Sequence, residues 1–281
     1  MDYKSTTYVS FDGIKLSGYL WKPENQPKAI INLVHGFGEY SERYNHWAKL
    51  LGGQGYAVHA IDYRGHGKSD GRRGYINSFD DFLSDIDVLV QESKKLYPGI
   101  PQFIYGHSLG GNIVTNYLIK RENNFKGAVI SSPWFRLTFD PSVLTIFFAK
   151  MIKSIFPKFT QNAKLDVKGI SHDKEVVNKY LEDPLVHEKI SAKMFFEIYN
   201  AGSWVLENTD KITLPVLLQH GNADKITSHK ASAEFAEKAH KFNKNITYKE
   251  WNGMYHELHN ELEYEKVFSY VISWIEKILS N

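Results

Sequence analysis

Gln102-Phe103-Ile104-Tyr105-Gly106-His107-Ser108-Leu109-Gly110-Gly111 is the stretch that decides the fold of this chain. Its first four residues form a short β-prone run that stops at a glycine, and the helical pattern Leu109–Lys120 begins directly after Ser108. A serine set among glycines where a strand meets a helix is the G-x-S-x-G elbow in the context that motif requires. The glycines relieve crowding at a sharp backbone turn, and the serine is left at the strand's C-terminal edge with its hydroxyl at the helix N-terminus. A glycine-rich turn capped by serine would read the same in isolation. The reading therefore rests on partners further along the chain.

Working outward, Thr6–Ser10 and Lys15–Trp21 flank Asp12-Gly13 and read as an antiparallel hairpin. The runs Ala29–Val34, Tyr56–Ile61, Gln102–Tyr105 and Gly127–Ser131 are apolar without alternation, as strands buried on both faces must be. Helical patterns at Tyr44–Leu51, Phe79–Leu96 and Leu109–Lys120 separate them, and strands alternating with helices imply an α/β, doubly wound sheet. After Ser131 the alternation stops, and helices are expected at Val143–Phe156, Lys174–Tyr180 and Ala192–Val205. It resumes at Leu214–Gln219 and Ile246–Trp251 and closes with a helix near Tyr264–Leu279. The simplest organisation is a core of residues 1–131 and 212–281 interrupted by a helical cap, 132–211.

A serine hydroxyl is a poor nucleophile until a neighbouring base takes its proton, so a carboxylate and then a histidine should follow Ser108 in the chain. After Leu214–Gln219 stands His220-Gly221-Asn222-Ala223-Asp224, and after Ile246–Trp251 stands Asn252-Gly253-Met254-Tyr255-His256. Two successive strand-end loops thus offer an acid, Asp224, and a base, His256, at the edge where doubly wound sheets build their sites. Asp183 and Asp62 compete as the acid but fall outside that chain order, and His259 competes with His256. The developing oxyanion needs two N–H donors. One is expected from Leu109 and the other from Phe37, in the glycine-flanked His35-Gly36-Phe37-Gly38-Glu39 after an earlier strand.

Other classes are disfavoured. A net charge of +2 without a Lys/Arg block gives no footprint for nucleic acid. The absence of cysteine removes disulfides, thiolate metal sites and a Cys nucleophile, and fits a reducing cytoplasm. With neither a signal-like N-terminus nor a spanning apolar window, a cytoplasmic protein is expected, at most peripheral at membranes. His256-Glu257-Leu258-His259 lacks the H-E-x-x-H spacing and a third ligand, and Gly65-His66-Gly67-Lys68-Ser69 is not a P-loop, so neither metal nor cofactor is expected.

Taken together, His35 to Tyr44, Asp62 to Gly71, Gly106 to Gly111, Asp183-Pro184-Leu185, His220 to Asp224 and Tyr255 to Glu261 resemble the monoglyceride lipases and related lysophospholipases of the capped α/β-hydrolases, over nearly the whole chain. The resemblance implies an α/β-hydrolase fold, a mostly parallel eight-stranded sheet flanked by helices with an inserted cap. It implies Ser108, Asp224 and His256 as triad, Phe37 and Leu109 as oxyanion donors, and Glu39, Arg43 and His259 as contacts to a glycerol head group. The expected partner is a small lipid ester. Phe37 stands where several relatives have Ala, and Leu109 where many have Met, which narrows the channel near the oxyanion hole. A lysophospholipase, a general carboxylesterase and a non-catalytic binding protein remain as alternatives.

The cap carries its own signal. Val143–Phe156 contains Val143, Leu144, Ile146, Phe147, Phe148, Met151, Ile152, Ile155 and Phe156 with Lys150 and Lys153 between them. Such a segment either packs onto the core as a lid or forms an apolar, membrane-facing entry for a lipid.

Overall fold

In the computed structural model, which describes residues 2–139, 149, 151–163 and 165–280, the N-terminal hairpin forms as β1 (Asp2–Val9) and β2 (Lys15–Lys22), paired antiparallel. Then come β3 (Ile30–Val34), α1 (Asn45–Gly53), β4 (Ala57–Ile61), α2 (Phe79–Leu96), β5 (Gln102–His107), α3 (Leu109–Lys120) and β6 (Gly127–Ser131). The insertion after β6 holds β7 (Thr160–Asn162), α4 (Lys174–Glu182), β8 (Lys189–Ser191) and α5 (Ala192–Glu207). The core resumes with β9 (Val216–Gly221), α6 (His229–His240), β10 (Ile246–Trp251) and α7 (Tyr264–Leu279). The chain has an α/β-hydrolase fold. Its eight-stranded sheet runs β1-β2-β4-β3-β5-β6-β9-β10, and every pair from β4 to β10 is parallel.

Layering explains the sequence pattern. One sheet face is covered by α2, α3, α5 and α6, with Phe82, Leu89, Ile113 and Phe235 in the core. The other is covered by α1 and α7, through Trp47, Leu51, Val271 and Trp274. Strands β3, β4, β5, β6 and β9 are consequently buried at every residue, which is why they read as unbroken apolar runs. Helix α2 starts at Ser78, whose side chain and Asp81 form a capping box. Helix α6 gives little apolar contrast in sequence, because three of its five buried residues are Ala231, Ala236 and Ala239.

The insertion is fastened to the loops at the C-terminal ends of the strands. Residues 136–138 run beside 226–228, with Leu137 bridged to Thr227. The His187 N–H donates to the Gly38 carbonyl (2.9 Å), and the Glu257 N–H donates to the Ile170 carbonyl (2.7 Å). Gly38 has φ +75°, and a Cβ there would lie 2.2 Å from the His187 carbonyl oxygen, so only glycine permits this approach. Helix α5, inside the expected 132–211 cap, packs against α2 and α3 of the core layer. Half of Val143–Phe156, including Val143, Leu144, Ile146, Phe147 and Phe148, lies outside the described residues; residues 151–155 are helical. Among the described residues no helix is long and apolar enough to cross a membrane.

Candidate active site

Ser108 sits between β5 and α3 with φ 54° and ψ −117°, a conformation that a non-glycine residue adopts only when its surroundings impose it. Its N–H donates to the Ser131 carbonyl, and its own carbonyl accepts from Asn112 and Trp134 N–H. A Cβ on Gly106 would lie 2.5 Å from the Gly110 carbonyl oxygen, so the small residues around the serine let helix and strand meet directly. Leu109 is the first residue of α3, where the N–H groups have no partner within the helix.

The loops after β9 and β10 bring the acid and the base together. Asp224 Oδ1 accepts from the Ile226 and Thr227 N–H groups at 2.7 and 3.1 Å. Asp224 Oδ2 lies 2.6 Å from His256 Nδ1, 2.9 Å from His220 Nε2 and 3.0 Å from Thr227 Oγ1. A carboxylate facing these groups fixes the proton on His256 Nδ1 and leaves Nε2 as the basic nitrogen. Burial opposes ionisation of Asp224, but the His256 charge and hydrogen bonds from His220 and His256 outweigh it and hold the carboxyl far below its usual range. Burial also opposes protonation of His256, yet Asp224, with Glu257 and Glu39 further off, raises its pKa above 6.5.

Ser108, His256 and Phe37 line one small cavity of about 30 Å³, together with Gly36, Trp134 and Ile226. That is room for about one water. It adjoins a larger hollow of about 610 Å³, and Trp134, Leu137, Leu165 and Ile226 line both. The larger space continues between Phe139, Ile152, Phe159 and Phe195, so the serine stands at the inner end of a greasy passage roofed by the insertion.

The residues linked to a head group separate. Glu39 borders the cavity at Ser108 but is buried; its Oε1 accepts from Gly36 N–H (2.6 Å) and Tyr44 O–H (2.8 Å). Arg43 pairs with Glu39 and makes a two-pronged contact to Glu257 at 2.9 Å on each prong. Burial raises the Glu39 pKa, whereas for Glu257 the Arg43 charge overcomes burial and lowers it. His259 is wholly buried, stacked on Tyr44 at 4.5 Å with His107 at 5.0 Å. Arg43 and His259 border a separate hollow, with His46 and Asp183, rather than the cavity at Ser108. These two stand beside Glu39 and His107, which line the cavity at Ser108. The competing acids are engaged elsewhere: Asp62 accepts from Tyr19, Ser41 and Lys68, and Asp183 from Tyr40 and Leu185. Sequence reasoning passed over Trp134, Leu137 and Ile226, whose placement depends on the pairing of two distant loops.

The profile of the family described as serine aminopeptidase, S33, matches residues 25–263. The chain belongs to this family. Within it, the chain is 35% identical to human monoglyceride lipase over 276 residues, covering 96% of this chain and 89% of that one. It is 30% identical to the monoacylglycerol lipase of Mycolicibacterium smegmatis, covering 96% and 95%. An abhydrolase domain-containing protein of Dictyostelium discoideum is 34% identical over 274 residues, and the chain spans 29% of its length. The crystal structure of a monoacylglycerol lipase from Paleococcus ferrophilus superposes with a TM-score of 0.82 at 32% identity, over 100% of this chain and 99% of that one.

Proposed function

We propose that this serine hydrolase of the S33 family cleaves monoacylglycerol to fatty acid and glycerol through an acyl-enzyme. The observation that carries the proposal is the Asp224–His256 pair facing the strained Ser108 at the inner end of a long apolar passage. His256 Nε2 takes the Ser108 proton as Oγ attacks the ester carbonyl, and the N–H groups of Phe37 and Leu109 receive the oxyanion. The imidazolium returns the proton to the departing glycerol oxygen. Water, activated by the same imidazole, then releases the fatty acid.

The apolar passage takes the acyl chain, while the alcohol leaves on the side of Glu39 and Tyr180. Residues 132–211 act as the cap. Their exposed Ile155 (62%) and Phe156 (66%), with Phe139 and Phe159 at the mouth, suit peripheral contact with a lipid surface.

A hydrolysis panel of monoacylglycerol, the methyl ester of the same fatty acid, and lysophosphatidylcholine tests the substrate. The glyceride should exceed the methyl ester in kcat/KM by about 10-fold, the value of one buried polar group left unpaired by the smaller alcohol. Ser108→Ala, His256→Ala and Asp224→Asn should each remove most activity on every ester while the protein stays folded, because the three act as a unit. Preference for lysophosphatidylcholine would overturn the glyceride assignment alone; an active Ser108→Ala would overturn the mechanism.

A further inference from the structure

His220 is a buried titratable group for which ester cleavage, as described, has no use. It is the penultimate residue of β9, is fully buried, and both ring nitrogens are engaged. Nδ1 lies 2.8 Å from Ser232 Oγ on α6, and Nε2 lies 2.9 Å from Asp224 Oδ2. A carboxylate can only accept and a serine hydroxyl can donate, so the direction is set: Ser232 O–H donates to Nδ1, and the proton on Nε2 is donated to Asp224. Asp224 Oδ2 therefore stands between two imidazole N–H groups, from His256 on one side and His220 on the other.

We infer that His220, held in its tautomer by Ser232, is a positioning residue for the acid of the triad, orienting the Asp224 carboxylate toward His256 and sharing its negative charge. The inference rests on the Ser108–His256–Asp224 reading above. A neutral donor is what this task needs, and burial keeps His220 neutral by lowering its pKa. The ring cannot drift, because Ser232 sits on a helix whose first turn is capped by Ser228 and Thr227 packs against the same carboxylate. Without His220, Oδ2 would lose one of its donors, place more of its charge on His256, and gain freedom to rotate. His256 is also faced by Glu257, Glu39 and His107, and His220 by His229; all are untouched by substitutions at 220 or 232.

The test compares His220→Leu, His220→Gln and Ser232→Ala with the parent protein, using a short soluble ester from about pH 5 to about pH 9. For His220→Leu, kcat should fall about 10-fold, as for one charge-assisted hydrogen bond, with KM changed less than about twofold. The acid limb of kcat/KM should move to higher pH. His220→Gln, whose amide can donate to the same oxygen, should recover most of kcat, and Ser232→Ala should show a smaller shift in the same direction. A folded His220→Leu with the parent's kcat and pH profile would overturn the inference, as would a Gln variant no better than Leu. If the Leu variant does not fold, a Ser232→Ala protein with an unshifted acid limb and unchanged kcat overturns it. Asp224→Asn separates the two levels: if it stays active, the triad reading itself fails, whereas an inactive Asp224→Asn beside an unaffected His220→Leu removes only this inference.

Discussion

At His256, burial disfavours the imidazolium while the Asp224 carboxylate at 2.6 Å, helped by Glu257 and Glu39, favours it more strongly, so the ring's pKa stands above 6.5. A base must be neutral to accept the Ser108 proton, so kcat/KM falls as pH drops through that raised value. The acid limb, measured on a soluble ester, should lie above the position expected of a free imidazole; a limb at or below 6.5 would contradict the pairing. The places of Ser108, Asp224 and His256 were legible in the sequence because each follows a strand and occupies a strand-end loop, where one residue's place is fixed by the element before it. His259 was not. It lies in the turn Leu258–Asn260 just after the base, and what turns it inward is the ring of Tyr44, far away in the chain. Glu257 is similar: its role as the clamp on Arg43 depends on a contact across 214 positions that no local pattern announces.

For the elements, length and contrast decide what can be read. Strands β3 to β6 and helices α2, α3 and α7 are long or strongly patterned, and their expected positions agree with the structure to within a few residues. Strands β7 and β8 have three residues each and pair with one another, too short a run for periodicity to find them. The inserted segment departs most from a soluble pattern, since Met151, Ile155, Phe156 and Phe159 are exposed and Phe159 also lines the apolar passage. Substituting Ile155→Ser and Phe156→Ser together should reduce binding to phospholipid vesicles and turnover of aggregated glyceride severalfold, the loss expected from two exposed apolar side chains. Hydrolysis of a short soluble ester should be unchanged. Equal losses on both substrates with a lowered melting temperature would show that the segment serves only packing.

For the whole molecule, the buried histidines govern acid tolerance. Burial lowers His35 to about 3 and His59 and His187 to about 4, and drives His66, His107 and His259 well below 6.5. The unfolded chain binds protons at these rings as pH falls below 6.5, while in the folded chain burial holds them neutral to lower pH, to about 4 for His59 and His187 and about 3 for His35. Stability is therefore whole above 6.5 and is lost across that window, each ring contributing up to about 1.4 kcal/mol per pH unit. His256 acts in the opposite direction, one ring against several. The melting temperature should fall steeply between pH 7 and pH 5, before carboxylates titrate in the unfolded chain; a flat profile there would refute this account. The order of the parts along the chain has one more consequence. Ser108 and the Phe37 loop precede the insertion, whereas Asp224 and His256 follow it, in the loops after β9 and β10. A chain emerging from the ribosome N-terminus first carries Ser108, the proposed nucleophile, long before it carries His256, the proposed base. On the triad proposed above, every nascent or truncated form ending before His256 lacks its base and should leave esters uncut, and a molecule divided within the insertion should hydrolyse them only as a reassembled pair.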